Sequence, residues 1–391
     1  MVAPLALFLT IEFIDEVVFG VREAAWPSIR AELGLSYTSI GLLLTLPSLV
    51  ADVLEPVLAL ASGSGRRPAI IAVGGAAFAV ALGLCAAARN FGFLLIAFMM
   101  LYPASGAFVS LTQATLMDTD PTRHETNMAR WALAGSVGVV VGPLLLAGAI
   151  RAGLGWRSLF LACAIVSVPL AFRSRFNRAV PTQGHATFRA SVRSACAALR
   201  HREVIRWLVL LKLTDLLGDV LAGFLALYFV DVVHVHVSGA AFAVVLWTLS
   251  GLAGDALLVP LLNRMSGLTY LRVSGLTMII AYPAFLLVPA LPLKLALLGA
   301  IGLLHAGWYA IPQGRLYSEL HDDSNVTLAV SNVAGLIGGA LPLLLGVAAA
   351  RWGLTSAMWL CAAAPVAILI GLPSSLSERS GLSVPCVVVV Q

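Results

Sequence analysis

The chain has 391 residues, of which 60% are hydrophobic and 11% are charged, and its formal net charge is +5. Soluble domains carry about 25% charged residues, so this composition excludes a water-soluble globular protein. It indicates a chain that crosses a lipid bilayer many times. The excess of basic residues then reflects membrane topology, and we expect no nucleic-acid partner.

The apolar runs of the sequence predict an all-α membrane protein. A membrane-spanning helix needs about 20 mostly apolar residues, and with that length the sequence contains about twelve spans. We number them in chain order as spans 1 to 12, at residues 3–25, 38–62, 69–88, 93–117, 127–150, 155–173, 207–231, 239–263, 270–290, 294–318, 326–350 and 355–373.

One connection is long, polar and rich in arginine, and it separates six predicted helices from six. We therefore expect an N-terminal bundle at 1–173, a basic linker at 174–206, a C-terminal bundle at 207–373 and a tail at 374–391. Basic residues mark cytoplasmic loops. The linker arginines therefore predict that both termini are cytoplasmic, and we expect the bacterial cytoplasmic (inner) membrane.

Span 1 contains acids in a segment that is otherwise built for lipid, IEFIDEVVFGVREAAW at 11–26. A charge at the bilayer centre costs at least ~2.5–3.5 kcal/mol, so such residues face a bundle interior or a hydrated cavity. Helical spacing puts these charged residues on one face: Glu12, Asp15, Glu16, Arg22 and Glu23. Arg22 and Glu23 also fit a structural pair or a solvated helix end.

Span 7 repeats this pattern with Lys212, Asp215 and Asp219 on one face. Lys212 and Asp215 are also spaced for a structural ion pair within one helix. Unpaired carboxyl groups in a site of low dielectric favour their neutral form. A carboxyl group that gains and loses a proton during the transport cycle is what proton coupling requires.

Spans 2 and 8 each carry an acid at a similar depth. Asp52 has Glu55 on the next turn, and Asp255 occupies the corresponding place in the second half. We expect a gate or an interdomain contact here, and the alternative is a place in the cavity.

The segment between spans 4 and 5, TLMDTDPTRHETNMARW at 115–131, brings Asp118, Arg123 and Arg130 to the helix ends. These residues are candidates for gate ion pairs, or they are solvated helix caps. Exposed pairs contribute only about 0–1 kcal/mol, which suits contacts that must break.

Span 10 contains HAGWYAIPQGRLYSEL at 305–320, and Pro312 is expected to bend it. Its candidate cavity residues are His305, Trp308, Gln313 and Arg315. Trp308 and Tyr309 have ring faces that suit an organic cation, although Tyr309 also fits packing and membrane anchoring. Gln113 of span 4 is the counterpart of Gln313 in the second half.

The two halves contain an internal repeat. The segment GSVGVVVGPLLLAG at 135–148 matches GLIGGALPLLLG at 335–346, and an offset of about 200 residues also places Asp15 on Asp215. Repeats related by an axis along the membrane normal are a transporter arrangement, with the substrate site near the midplane.

These features resemble the major facilitator superfamily over essentially the whole chain. The start of span 2, LGLSYTSIGLLLTLPSL at 33–49, is similar to that family, as are Gly65, Arg66 and Arg67 of the loop signature after span 2. Leu58 and Ser62 stand where the signature has glycine and aspartate. The span 5 residues Gly138, Gly142 and Pro143 resemble the glycine-proline helix-packing motif of the family's antiporters.

The resemblance implies that spans 1, 4, 7 and 10 line a central cavity, so that the charged faces of spans 1 and 7 meet there. It implies a gate role for Arg66 and Arg67 and a functional monomer in the lipid bilayer. We expect a secondary transporter of a small cationic or zwitterionic organic solute, coupled to protons, with no cofactor and no metal.

Export by antiport is favoured over proton-coupled uptake of a nutrient, and an uncoupled sensor or lipid scramblase is the alternative of another class. An enzyme is disfavoured. The sequence lacks G-x-S-x-G, and His124-Glu125 lacks the second histidine of H-E-x-x-H.

Overall fold

The computed structural model is helical in the part of the chain that it describes, residues 2–61, 66–119, 124–176, 197, 199–262, 264–319, 335 and 338–373. Helices satisfy their own backbone hydrogen bonds, which a bilayer cannot do for them. The prediction of an all-α membrane protein is confirmed for these residues. Most of the predicted linker and the tail from residue 374 lie outside them.

The helices of the N-terminal half are Val2–Leu33, Tyr37–Ala61, Arg67–Ala87, Phe91–Ser105, Leu111–Thr119, His124–Arg151 and Trp156–Ser174. They correspond to spans 1 to 6, with span 4 in two pieces. Span 1 extends past its predicted end at residue 25. It stops before Gly34, whose φ of 63° is the left-handed conformation that commonly ends a helix.

The helices of the C-terminal half are Arg202–Thr214, Leu221–Asp231, Val237–Leu262, Gly267–Leu287, Leu291–His305, Ala310–Glu319, Leu341–Trp352, Leu354–Met358 and Ala363–Gly371. Span 7 begins at Arg202, inside the predicted linker, and it is divided into two helices. Span 10 is likewise divided after His305.

Among the described residues, nine helices are long and apolar enough to cross a membrane. Spans 1, 7 and 11 are not in this set. Span 1 carries too many charges, span 7 is interrupted, and span 11 is described only in part, as Leu341–Trp352. The count of twelve therefore stays a prediction.

Spans 1 and 5 pack most intimately, along their glycines. A Cβ added at Gly138 would lie 2.6 Å from the carbonyl oxygen of Phe13, and one at Gly142 would lie 2.6 Å from that of Val17. Only glycine permits such an approach of two helix backbones. This contact fixes the rotation of span 1 and hence the direction of its acidic face.

Three predicted cavity-lining spans depart from regular α-helix. Span 4 has a π-helix at Gly106–Ser110, and span 7 has one at Leu216–Val220. Span 10 turns at 306–309, where Gly307 has a φ of 75°. Pro312 therefore lies in the first turn of the following helix, where proline is tolerated, and the break precedes it. Local π-bulges are frequent at functional sites.

Candidate functional site

The acids of span 1 lie against span 5. Glu12 and Asp15 are buried, at 7% and 5% exposure, and Glu16 is partly buried. A Cβ at Gly135 would lie 2.6 Å from Glu12 Oε1, so this glycine leaves the room that the carboxylate occupies. The acidic face is therefore turned into the protein and away from lipid.

Asp15 also contacts the interruption in span 4. The Ser105 hydroxyl donates a hydrogen bond of 2.8 Å to Asp15 Oδ1, directly before the π-helix. From span 2, Glu55 reaches the same segment, since a Cβ at Gly106 would lie 2.5 Å from Glu55 Oε1. Asp15 and Glu55 repel each other electrostatically when both are charged. Two carboxyl groups thus flank one irregular turn.

Arg22 is buried at 8% exposure, so this end of the acidic face is not a solvated helix end. Its guanidinium group donates to the Tyr102 hydroxyl and, at 3.4 Å, to Glu23. It also lies 4.7 Å from the centre of the Phe19 ring. Arg22 is therefore already committed to partners within the N-terminal half.

Asp219 brings the second half to this cluster. It lies in the π-helix of span 7, and its side chain is exposed. Its charge interacts with Arg22, Glu23 and Glu16 of span 1. The charged faces of spans 1 and 7 therefore approach each other across the two halves.

A second group of charges lies nearer the start of span 7. Lys212 Nζ donates to Asp215 Oδ2 at 3.0 Å. Asp52 of span 2 interacts electrostatically with the same lysine. A Cβ at Gly335 would lie 3.1 Å from Asp52 Oδ2, so Asp52 also approaches span 11. Lys212 thus links carboxylates from both halves.

Asp255 contacts span 10 within its own half, where it forms a hydrogen bond with the backbone of Gly307. It therefore binds the turn that interrupts span 10.

His305 lies at the break in span 10, beside the break in span 7. Its ring is 5.8 Å from Trp247 and 5.6 Å from Trp308, centre to centre. A Cβ at Gly218 would lie 3.5 Å from the His305 ring. Its Nε2 is buried and has no hydrogen-bond partner among the described residues.

The prediction that Trp308 presents a ring face to the cavity is wrong. Its side chain is 0% exposed, and its indole N–H donates to Ser274 at 2.9 Å. The turn at Gly307 directs Trp308 into the C-terminal half, whereas Tyr309 is 61% exposed.

The other predicted residues lie in varied surroundings. Gln113 and Gln313 are partly buried in spans 4 and 10. Arg67 is buried at the start of span 3, and three further arginines are exposed, namely Arg66, Arg130 and Arg315. The side chain of Asp118 and the whole of Arg123 lie outside the described residues. In the described part of the chain, no three His, Cys, Asp or Glu side chains are grouped as metal ligands.

Sequence reasoning missed a polar contact at the C-terminal ends of spans 1 and 7, away from the acidic cluster. Arg30 and Asp231 form an ion pair there, and the Tyr37 hydroxyl donates to the same carboxylate at 2.9 Å. The Arg30 guanidinium group also lies 4.3 Å from the centre of the Tyr37 ring. The internal repeat could have indicated this pair, because Arg30 and Asp231 occupy nearly equivalent positions with opposite charges.

Spans 2 and 11 meet at the same end of the molecule. A Cβ at Gly41 would lie 2.8 Å from the Pro342 carbonyl oxygen, and one at Gly346 would lie 2.6 Å from that of Tyr37. The Leu343 N–H donates to Thr45 Oγ1 at 3.2 Å. The two halves are therefore in direct contact at the end that carries Arg30.

Solved structures of several membrane transporters share this fold. A bacterial homologue of the human lysosomal transporter Spinster, inward-facing and unoccupied, is 20% identical with a TM-score of 0.71, covering 95% of this chain and 94% of that one. The nucleoside transporter NupG is 11% identical with a TM-score of 0.74, covering 98% and 100%. The human organic anion transporter MFSD10 is 16% identical with a TM-score of 0.63, covering 94% and 98%.

Sequence comparison supplies the family. No curated protein is a significant sequence match to this chain. The family model described as Major Facilitator Superfamily matches residues 11–341, which is most of the chain. The predicted resemblance is confirmed, and the chain belongs to the Major Facilitator Superfamily and is a membrane transporter, not an enzyme.

Proposed function

We propose that this chain is a proton-coupled secondary transporter that exports a small cationic or zwitterionic organic solute by antiport. The transporters of similar fold carry nucleosides or organic anions by their descriptions. At this low sequence identity, the likeness shows the fold alone. We therefore infer the substrate class from the charged residues of this chain.

The observation that carries the proposal is the approach of acids from both halves. Glu16 and Glu23 of span 1 interact electrostatically with Asp219 of span 7. The neighbouring cation, Arg22, is already bound to Tyr102 and Glu23. The carboxylates near the contact between spans 1 and 7 therefore exceed the free positive charge, and a cationic solute or protons would balance them.

Alternating access provides the coupling. We infer that the halves 1–173 and 207–373 move about the acidic cluster, and that Asp15, Glu12 and Glu16 exchange protons as their surroundings change. The Arg30–Asp231 pair would open when the site faces the side of the membrane away from the termini. The chain would act as a monomer in a bacterial cytoplasmic membrane with both termini cytoplasmic.

Everted membrane vesicles test direction and coupling together. With an acidic interior, a proton antiporter that exports cations should accumulate ethidium inside the vesicle. Collapsing the pH gradient should release it. Vesicles with Glu203→Gln serve as the matched control, because Glu203 forms a surface pair with Arg206 at the start of span 7.

The same assay distinguishes the alternative functions. A proton-coupled uptake symporter would drive solute out of acid-loaded vesicles. A sensor would give no flux, and a lipid scramblase would move fluorescent lipid independently of the gradient. Accumulation that is unchanged by the pH gradient would refute proton coupling while leaving transport intact.

A further inference from the structure

A groove on the outer side of the N-terminal half runs between spans 3 and 6. Its volume of about 1060 Å³ is at the upper end of the range for ligand sites. The floor consists of small residues of span 3, including Ala72 and Ala76. Its rims carry exposed apolar side chains such as Val73, Ile165 and Phe172. In a bilayer this surface would contact lipid.

The groove is long enough to hold a lipid chain. It extends along span 3 from Pro68 to Gly83, which is roughly 22 Å at the helical rise of about 1.5 Å per residue. One leaflet of the hydrocarbon core is about 15 Å deep, half of ~30 Å. An acyl chain that enters at one end can therefore lie in the groove over its whole length.

One end of the groove carries a positive charge. Arg175 is the single charged residue among those that line the groove. Its guanidinium group lies 5.9 Å from the ring centre of Phe172 and 5.6 Å from that of Phe176. It forms no ion pair with any described carboxylate. The groove therefore joins an apolar trough to an arginine whose charge no described carboxylate neutralises.

We propose that this groove binds an anionic phospholipid, with an acyl chain along span 3 and its phosphate on Arg175. Guanidinium groups suit phosphate because they donate paired hydrogen bonds, and basic pockets between membrane helices bind lipid headgroups. The same end of the bundle carries the exposed residues Arg66 and Arg173, so anionic lipid concentrates there. This proposal stands independently of the transported solute.

An amphiphile fits this groove better than a second copy of the chain. A copy packed through the same face would cover the small residues of span 3 but would bring no carboxylate to Arg175, because the groove lining contains none. A phospholipid satisfies both parts at once. Its shape also matches the direction of the groove, with the charged group at the membrane surface.

Native mass spectrometry of the detergent-solubilised protein tests the proposal. The protein is mixed with equimolar phosphatidylglycerol and phosphatidylcholine, and retained lipid is counted. Phosphatidylglycerol should be retained about fivefold over phosphatidylcholine, the ratio for ~1 kcal/mol from one arginine. Arg175→Ala should remove that preference, while Arg173→Ala, two residues away and outside the groove lining, should keep it. Ala76→Phe should reduce retention of both lipids by filling the trough.

Three results would overturn it. Equal retention of both lipids by the parent would exclude headgroup selection. An equal loss in Arg173→Ala and Arg175→Ala would indicate a diffuse basic collar. A dimer in the spectrum that Ala76→Phe converts to monomer would make the groove a contact between copies. If Ala76→Phe does not fold, the arginine pair still decides between the first two outcomes.

Discussion

Spans 1 and 7 are equivalent in the internal repeat, yet they hold their charges in different ways. Span 1 is one helix, Val2–Leu33, and its Asp15 accepts a hydrogen bond from Ser105 of the same half. Span 7 is interrupted at Leu216–Val220, and Gly218 inside that segment has φ −90° and ψ −107°, outside the helical region. Its Asp219 is exposed and faces charges of the opposite half.

We infer from this difference that span 1 serves proton exchange and span 7 serves solute binding. Asp15 of span 1 is held by the Ser105 hydroxyl and so suits proton exchange during the cycle. The side chain of Asp219 forms no hydrogen bond or ion pair with the described residues of its own half and lies on an irregular turn, so it suits contact with a solute.

The largest effect is expected from Asp15→Asn. The amide keeps the shape and can still accept the hydrogen bond from Ser105, but it cannot exchange a proton. We expect gradient-driven ethidium accumulation in everted vesicles to fall by about a hundredfold, equivalent to ~2.7 kcal/mol. Ethidium exchange without a gradient should persist. Retention of full gradient-driven accumulation would remove Asp15 from the coupling role.

The next effect concerns the backbone contact that orients span 1. Gly142→Ala adds a methyl group 2.6 Å from the Val17 carbonyl oxygen, and such overpacking costs about 1–3 kcal/mol. Thermal unfolding should show a lower Tm. Gly148→Ala is the matched control in the same helix, since nothing lies within 4 Å of its added Cβ. Equal Tm values for the two variants would contradict the close contact of spans 1 and 5.

A smaller effect is expected from Trp308→Phe. This change removes the hydrogen bond to Ser274, and a buried hydrogen bond contributes about 0.5–1.5 kcal/mol. Stability should fall by that amount while the affinity for ethidium stays unchanged, because the ring does not face the cavity. Weaker ethidium binding at unchanged stability would return Trp308 to the binding site.

The smallest effect is expected at the Arg30–Asp231 pair. Its side chains are 30% and 25% exposed, so a coupling of about 0–1 kcal/mol is expected. A double-mutant cycle with Arg30→Ala and Asp231→Ala measures it by thermal unfolding. The charge-exchanged double variant should recover part of the loss. A coupling above that range would mean that this contact holds the halves together more firmly than a gate allows.

The sequence predicted the helical fold and the inward orientation of the acids in span 1, because both follow from local chemistry. A run of apolar residues forms a span, and a carboxyl group inside a span must avoid lipid. The glycines of span 5 were also predictable, since they allow two helices to approach closely.

The features that sequence reasoning did not predict depend on tertiary geometry. The orientation of Trp308 depends on the positive φ of Gly307, which a helical pattern does not reveal. The Arg30–Asp231 pair joins residues about 200 positions apart, and only the repeat relates them. The interruptions in spans 4 and 7 depend on packing that no local pattern contains.

Thermal unfolding against a ligand panel at two pH values tests the central claim most directly. The panel contains organic cations, zwitterions, sugars and carboxylates. A ligand at 100 times its Kd adds about 2.7 kcal/mol of stability. The account predicts stabilisation by cations or zwitterions that strengthens at the higher pH, where fewer protons compete for the carboxylates, and that is lost in Asp219→Asn. Stabilisation by anions or neutral sugars alone would contradict an acidic substrate site.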